Sequence, residues 1–334
     1  MSAVASASIT INDTLQLRRY NPTHIPEPEQ VVLTIGGRTI GTLQNFVVYS
    51  GLPKAGKSTF IAATLASALM PGDQFGIKIS FPEDRRRVCL FDTESSDYDF
   101  YRQIDKIKRF SHINMLPDVF DAYKVREDHP KQIKEMIELY LQQTPQCSVM
   151  VIDGFLDLLL NFNDEIESRM LINWLKRLTK QYNCLIIGVL HLGKKDGHTL
   201  GHLGSMVDRY TQSLLKITKD KEQLTYSLTP EMLRSDVDFL PIVLQNIDGV
   251  WCETVPTVKE EKLPKRELTY QEHKDKLFRV FNYRPQLTYK ELWQAISEEY
   301  CIGANKAKQL VIELKQKNLI TKNLQNDYEN NSQR

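Results

Sequence analysis

The chain has 334 residues and a formal net charge of +1 at pH 7, from 43 Lys and Arg against 42 Asp and Glu. Its length exceeds the size at which one hydrophobic core usually keeps growing, which predicts two domains. Its charge excludes a generally basic nucleic-acid-binding protein, so any nucleic-acid-binding surface must be a local patch. Its five cysteines are widely spaced and form no C-x-x-C pair, which argues against a zinc site and a disulfide framework.

The first 30 residues are polar, small and punctuated by proline, which predicts an N-terminal arm or a disordered tail. Such an arm either packs on a neighbouring subunit or is an unordered terminus. From residue 31 to residue 50, a run of Val, Ile, Thr and Phe is broken at Gly36-Gly37. This pattern predicts a β-hairpin whose second strand leads into the next motif.

Residues 51–59 read GLPKAGKST, between a β-like run over 46–50 and an apolar helical pattern over 58–70. This is the strand–loop–helix context in which G-x-x-x-x-G-K-[ST] binds phosphate, with backbone N–H groups turned toward the anion at a helix N-terminus. Lys57 is expected to reach the β- and γ-phosphates of ATP, and the Ser58 hydroxyl is expected to coordinate Mg²⁺. The predicted nucleotide-binding residues are Gly51, Pro53, Lys54, Ala55, Gly56, Lys57, Ser58 and Thr59.

An acidic strand end follows at residues 88–94, VCLFDTE, beside two serines that can cap a helix extending to about Arg109. In an open α/β sheet the chemistry gathers at the carboxyl ends of strands, so Glu94 is a candidate for activating the attacking water. The alternative is an exposed carboxylate that the dipole of the following helix stabilises.

A second acidic strand end lies at residues 147–153, CSVMVID, after an amphipathic helix over 129–143. The nearly continuous apolar run predicts a buried parallel strand. Asp153 at its end gives the Walker B pattern and is expected to hold Mg²⁺, directly or through a water. The next strand, over 184–190, ends at His191, which can sense the γ-phosphate by a hydrogen bond; a lone histidine is more often structural.

The loop over 192–204 is basic and rich in glycine, so Lys194 and Lys195 are predicted to contact a nucleic-acid backbone, with a solvated charged loop as the alternative. A hairpin over 214–228 is predicted to extend the sheet, and Arg234 follows in a polar segment. Residues 31–256 are therefore expected to form an α/β domain with a mostly parallel sheet flanked by helices.

Residues 257–268 are rich in Lys, Glu and Pro, which predicts a linker. Residues 269–325 then show three helical patterns and a short strand, the order of a winged helix-turn-helix, followed by a polar tail over 326–334. Lys306, Lys308 and Lys315 lie on the outer face of the third helix and are predicted to bind DNA. The alternative is a protein-interaction or oligomerisation module with a solvated lysine face.

Two features predict a soluble cytoplasmic protein. The longest apolar run, over 149–160, contains Asp153 and Asp157, which excludes a membrane span, and residues 1–13 lack the basic and apolar parts of a signal peptide. Cys89, Cys147 and Cys184 lie in apolar, strand-like runs and are predicted to be core thiols in a reducing compartment.

The series GLPKAGKST, VCLFDTE, VMVIDGFLDLL, LIIGVLHLGKK and GHLGS resembles the RecA-like ATPases of the RepA and DnaB hexameric helicase group, particularly compact versions carried by mobile genetic elements. The resemblance covers residues 41–251. It implies ATP and Mg²⁺ as cofactors, Glu94 as the catalytic glutamate, His191 as the sensor and the loop over 194–204 as a DNA contact in a channel. It also implies a homo-oligomeric ring of six, in which Arg234 is an arginine finger that reaches across a subunit boundary.

Two departures from the family pattern leave alternatives open. Leu200 stands where related sequences often have arginine, and Met232 replaces a lysine that commonly precedes the finger, so Arg209 could compensate. The leading hypothesis is a DNA-stimulated, ATP-dependent helicase or helicase loader in replication or transfer of a mobile element. The alternative is a DNA-binding regulatory switch ATPase with slow turnover and no unwinding. A small-molecule kinase is disfavoured because no basic, lid-like segment is evident.

Overall fold

The computed structural model describes residues 11–192, 201–254, 268–282 and 284–331. The chain divides into two compact units, Met1–Pro256 and Thr257–Arg334. The strands of the first unit are β1 (Val31–Ile35), β2 (Arg38–Thr42), β3 (Phe46–Gly51), β4 (Ile77–Ile79), β5 (Arg87–Asp92), β6 (Phe120–Lys124), β7 (Cys147–Asp153), β8 (Leu185–His191), β9 (Ser213–Asp220), β10 (Thr225–Leu233), β11 (Ile242–Ile247) and β12 (Val250–Thr254). Its helices are α1 (Ile11–Leu17), α2 (Lys57–Ser67), α3 (Asp97–Phe110), α4 (Pro130–Gln143), α5 (Glu165–Tyr182), α6 (Gly201–Tyr210) and a short 3-10 helix (Phe155–Leu158).

A nine-stranded sheet forms the centre of the first unit, in the order β12-β11-β10-β9-β3-β8-β7-β5-β6. Neighbouring strands are parallel in the part of the sheet that contains β9, β3, β8, β7, β5 and β6. Strands β10, β11 and β12 continue the sheet from β9 in antiparallel pairs. The predicted α/β fold with a mostly parallel sheet is confirmed. Because β8 lies between β3 and β7, the phosphate-loop strand and the Walker B strand are second neighbours.

Two hydrophobic clusters cover the faces of this sheet. The first combines strand residues with Phe60 and Ile61 of α2 and with Ile107 of α3. The second packs helices α4, α5 and α6 on the other face. Every residue of β3 and β7 is buried, as expected for parallel strands covered on both faces. Cys89, Cys147 and Cys184 are buried thiols, as predicted.

The predicted hairpin over 31–50 is partly wrong. Strands β1 and β2 do pair around the turn at Gly36-Gly37, but they form a separate three-stranded sheet with β4. The left-handed backbone at Gln44, with φ of 64°, ends that pairing, and its N–H donates to Cys184 O instead. The chain therefore enters the central sheet as a third strand, β3, which delivers the phosphate loop.

Two further segments differ from the sequence analysis. Residues 201–204, expected in a loop, begin helix α6, and edge strand β6 was not predicted because its pattern, FDAYK, is only half apolar. In the predicted arm, residues 11–30 carry only the short helix α1, whose Ile11, Leu15 and Leu17 are exposed. Among the described residues, no helix has both the length and the apolar character to cross a membrane.

The second unit has its own small core. Its elements are α7 (Tyr270–Val280), β13 (Gln286–Leu287), α8 (Tyr289–Glu299), α9 (Ala304–Gln316), β14 (Ile320–Lys322) and β15 (Tyr328–Asn330). The strands form an antiparallel sheet in the order β13-β15-β14, and Leu277, Leu292 and Leu314 are completely buried between the helices and this sheet. A capping box of Thr288 with Glu291 begins α8.

Candidate active site

The loop from Gly51 to Lys57 joins the carboxyl end of β3 to the N-terminus of α2. Two of its glycines are required by close packing. A Cβ at Gly51 would lie 2.7 Å from Ile217 O, and one at Gly56, whose φ is 99°, would lie 2.5 Å from the ring of Tyr226. The loop therefore brings its backbone against β9 and β10 and ends at the helix terminus where a phosphate is favoured.

The other predicted loop residues line the same turn. Pro53 and Lys54 are exposed, Ala55 is buried, and Ser58 and Thr59 occupy the first turn of α2. The Ser58 side chain lines a cavity that also contains Glu94 and Asp153. The two residues predicted to hold Mg²⁺, Ser58 and Asp153, therefore line one space together with Glu94.

The amino group of Lys57 is surrounded by three acceptors. Its Nζ lies 3.0 Å from Gly51 O, 3.1 Å from Leu52 O and 3.0 Å from His191 Nδ1. Burial lowers the pKa of Lys57, and the carboxylates of Glu94 and Asp153 partly oppose that effect. Because an ammonium group has three donors, Lys57 must give up one of these contacts to bind a phosphate.

His191 connects Lys57 to Glu94. Its Nε2 lies 2.5 Å from Glu94 Oε1, while its Nδ1 faces the lysine. Since the ammonium of Lys57 can only donate, His191 accepts at Nδ1 and donates its Nε2–H to Glu94. Three predicted site residues, from the N-terminus of α2 and from the ends of β5 and β8, thus form one hydrogen-bonded chain.

Two aspartates lie side by side at the ends of β5 and β7. Asp92 and Asp153 are register partners, and both are buried. Asp92 Oδ1 accepts from the backbone N–H groups of Glu94 and Ser95, whereas its Oδ2 is buried without a hydrogen-bond partner among the described residues. Burial, followed by the charges of Asp92 and Glu94, raises the pKa of Asp153 to about 8.

A further carboxylate joins the site through a tight turn after β7. Thr93 Oγ1 donates to Asp157 Oδ2 at 2.6 Å and lies 2.7 Å from Asp153 O. Gly154 makes this turn with φ of 122°, and a Cβ there would lie 2.2 Å from Thr93 Oγ1. Burial raises the pKa of Asp157.

Ser58 and Asp153 fit a divalent cation that bound phosphates also coordinate. The charges of Asp92, Glu94 and Asp157 act on Asp153, and Asp92 Oδ2 has no donor among the described residues. In the part of the chain that the structure describes, no group of three or more His, Cys, Asp or Glu side chains could hold a metal ion by itself, so phosphate oxygens would have to complete the coordination. Oxygen ligands of this kind are those that Mg²⁺ prefers, usually together with substrate phosphates. Asp153 and Ser58 would hold the ion as predicted, with Asp92 beside them.

The cavity next to the phosphate loop has a volume of about 1090 Å³ and extends between α3 and the β11–β12 hairpin. Trp251 forms part of its far wall, and its ring meets Tyr226 edge to face at 5.0 Å. A space of this size accommodates a whole nucleotide.

The family comparison agrees with this geometry. A family model, AAA_25, described as an AAA domain, matches residues 29–197. The chain belongs to this AAA domain family. The match makes the first unit a P-loop NTPase domain of RecA-like type and indicates nucleotide binding and ATP hydrolysis. No curated protein matches the chain.

Arg234 lies far from the phosphate loop of its own AAA domain. It follows β10, whose Leu233 pairs with Ser213 at the beginning of β9, whereas Leu228 pairs with Ile217 beside Gly51. Five residues of strand separate these positions, or about 17 Å. The exposed guanidinium of Arg234 donates to the backbone carbonyl of Arg209 at the end of α6.

The remaining predicted site residues are not brought to this centre. Lys194 and Lys195 lie outside the described residues. Lys306, Lys308 and Lys315 are exposed on α9 of the second unit, where the ammonium of Lys308 lies 4.9 Å from the centre of the Trp293 ring. Their DNA-binding role stays a prediction.

Asp92 and Asp157 of the AAA domain were not predicted as site residues from the sequence. Asp92 had a usable signal, because it ends an apolar strand in the same way as Asp153. Asp157 had no such signal in the sequence, because only the turn at Gly154 brings it to Thr93. Tyr226 was also missed, because its contact with Gly56 depends on the pairing of β9 with β10.

Proposed function

We propose that the chain is a DNA-stimulated, ring-forming ATPase that acts as a RepA/DnaB-like helicase or helicase loader in replication or transfer of a mobile element. The observation that carries this proposal is the hydrogen-bonded chain from Lys57 through His191 to Glu94. It joins the phosphate-binding lysine to the carboxylate that activates water. A simple nucleotide-binding site needs no such link.

Each of these residues has a distinct task in hydrolysis. Glu94 accepts a proton from the attacking water and orients it. Ser58 and Asp153 would hold Mg²⁺, which would supply positive charge to the phosphates. When Lys57 turns toward the phosphates, His191 loses its donor, so the orientation of the Glu94 carboxylate reports nucleotide occupancy. This sensor role is the one that the family resemblance implies for His191.

Two features support assembly into a ring. Arg234 is exposed and about 17 Å of strand away from its own phosphate loop, so a role as an arginine finger requires a neighbouring subunit. The N-terminal arm exposes Ile11, Leu15 and Leu17 by 90%, 66% and 79%, and a seven-residue helix is not stable without a partner. We assign that partner to a second copy of the chain.

The second unit supports DNA binding. Its helix, strand, helix, helix and two-stranded hairpin follow the order of a winged helix, with α9 in the place of the recognition helix. Lys306 and Lys315 are exposed there, and Lys308 is held over an aromatic ring from which it can still reach a phosphate.

A strand-displacement assay tests this function. Purified full-length protein with ATP and Mg²⁺ is expected to separate a tailed DNA duplex, and Lys57→Ala and Glu94→Gln are each expected to abolish unwinding. Glu94→Gln should still bind ATP, with hydrolysis reduced by about 10²–10⁴-fold. The exposed Glu83→Gln is the matched control and should behave as wild type. Protein that binds DNA but never separates the duplex would contradict the motor function.

One observation favours the switch ATPase as a second candidate. Met232, at the position where related motors commonly have lysine, packs against the second hydrophobic cluster, so no cation accompanies Arg234 on that strand end. In a switch, ATP would control assembly on DNA and turnover would be slow. Nucleotide-dependent assembly that Glu94→Gln leaves intact, with no unwinding by wild type, would favour this candidate.

A further inference from the structure

A second lysine faces the phosphate loop from helix α3. Lys106 Nζ lies 3.3 Å from Thr59 Oγ1, and Gln103, one turn earlier, donates to Ser58 O at 2.8 Å. These two contacts fix α3 against the first turn of α2. Lys106 and Ser58 line the same cavity.

This lysine is half-buried and lacks a counter-ion. Among the described residues no carboxylate forms an ion pair with Lys106, although Arg109 on the same helix is paired with Asp105. The charges on α3 that act on Lys106 are those of Arg102 and Arg109, which line the cavity together with Asp99 of the same helix. Burial, and then the charges of these two arginines, lower the pKa of Lys106. A desolvated ammonium among other cations is costly unless an anion binds there.

The nucleotide supplies that anion. The phosphate loop gives its own lysine, Lys57, to the β- and γ-phosphates, whereas the α-phosphate depends on backbone N–H groups at the beginning of α2. Thr59, which Lys106 contacts, belongs to that first turn. We infer that Lys106 is a phosphate-binding residue for the α-phosphate of the nucleotide, opposite Lys57. This inference rests on the proposed ATPase function and adds a recognition residue from outside the phosphate-loop motif.

Calorimetric titration of ADP and AMP into wild type, Lys106→Met and Lys106→Arg tests the inference. Methionine keeps the length of the side chain and removes its charge, so both nucleotides should bind about tenfold more weakly or worse, by a common factor. Arginine should restore most of the affinity. Lys57→Ala should weaken ADP more than AMP, because AMP has no β-phosphate. Lys108→Met, on the same helix but outside the cavity, is the control and should bind as wild type.

Thermal melting without nucleotide separates binding from a structural role. Lys106→Met should melt at or above the wild-type temperature, because the lost charge has no carboxylate partner. The inference would be overturned if Lys106→Met bound ADP as tightly as wild type. It would also be overturned if nucleotide-free Lys106→Met melted at a lower temperature than wild type and Lys106→Arg did not recover the affinity for ADP. Failure of wild type to bind ADP would instead overturn the proposed ATPase function.

Discussion

At the level of single side chains, the site holds its phosphate-binding lysine in a resting arrangement. All three donors of Lys57 are used, by two loop carbonyls and by His191. Nucleotide binding must therefore break an existing contact, and the contact with His191 is the one that also involves Glu94. This exchange gives the site a physical means to link nucleotide occupancy with the position of the Glu94 carboxylate, the proposed general base.

The raised pKa of Asp153 predicts a pH-dependent affinity for Mg²⁺. Burial and the nearby carboxylates favour its protonated form up to about pH 8, and a carboxyl must lose its proton before it binds a cation. Mg²⁺ affinity should therefore rise by up to about tenfold per pH unit below pH 8 and level off above it. Calorimetric Mg²⁺ titrations at several pH values measure this rise. A flat profile for wild type would contradict the prediction, and Asp153→Asn should show no such rise.

The same pKa predicts how stability changes without Mg²⁺. The folded-state pKa of Asp153 is above its ordinary value, so between about pH 4 and pH 8 the folded protein binds more protons than the unfolded chain, and this contribution to stability falls as pH rises. In EDTA near pH 8, Asp153→Asn should therefore melt at a higher temperature than wild type, by about 2–4 °C per kcal/mol. Near pH 5, where Asp153 is protonated, the two proteins should melt at about the same temperature. Equal melting temperatures near pH 8 would contradict it.

The sequence predicted the residues whose role depends on a local pattern. Lys57 and Ser58 follow from the loop motif, and Glu94, Asp153 and His191 from strand ends that a parallel sheet brings to one edge. It did not show that His191 bridges Lys57 and Glu94, since that bridge depends on β8 lying directly beside β3. Contacts that depend on the order of strands are not encoded in spacing along the chain.

At the level of elements, the short helix after β7 is fixed by one close contact. A Cβ at Gly188, in the middle of β8, would lie 2.0 Å from the ring of Phe155, so this glycine makes room for the aromatic side chain. The contact holds the segment that carries Asp157, directly after Asp153. Packing between β8 and the 3-10 helix therefore positions part of the active site.

Gly188→Ala should overpack this contact and lower the free energy of unfolding by about 1–3 kcal/mol. ATP hydrolysis should fall as well, because the segment after Asp153 must shift. Chemical denaturation and an ATPase assay measure the two effects. The double variant Gly188→Ala, Phe155→Leu should recover part of the stability, since the smaller side chain removes the clash.

Gly303→Ala is the control for this substitution. Gly303 is the N-cap of α9, and a Cβ there meets nothing within 4 Å, so the cost should be only that of a poorer N-cap, about 0.5 kcal/mol. Equal destabilisation by the two alanine variants would show that the contact with Phe155 is not the cause.

Much of the fold was predictable because its strands are apolar runs and its helices have apolar stripes. The strands that carry the phosphate loop, Glu94 and Asp153 all appear as predicted. The hairpin over 31–50 was misassigned because its apolar pattern does not show that Gln44 turns the chain into a different sheet. Edge strand β6 was missed because a strand with one paired side has a weaker apolar pattern.

At the level of the whole molecule, a chain with a net charge of +1 can bind DNA only through a local surface, and we propose that α9 provides it. Replacing Lys306, Lys308 and Lys315 by Gln in the full-length protein should weaken DNA binding similarly on all sequences. The slope of log affinity against log salt should decrease by up to about 0.9 per lost phosphate contact on duplex DNA. Fluorescence anisotropy over a range of salt concentrations measures both quantities.

A matched triple variant controls for total charge. Lys131, Lys180 and Lys221 are exposed in the first unit, and their replacement by Gln removes the same charge. This variant should keep the wild-type salt slope. If both triple variants lose affinity equally, the lysines of α9 are not a specific DNA-binding surface.

In the proposed ring, Arg234 of a neighbouring subunit completes each active site. Lys57→Ala and Arg234→Ala should each abolish DNA-stimulated ATP hydrolysis alone. When the two variants are mixed and reassembled in equal amounts, about one interface in four combines an intact Lys57 with an intact Arg234 from its neighbour. We predict that hydrolysis returns to about a quarter of the wild-type rate in the mixture. A mixture that stays inactive, although it assembles, would contradict the shared active site.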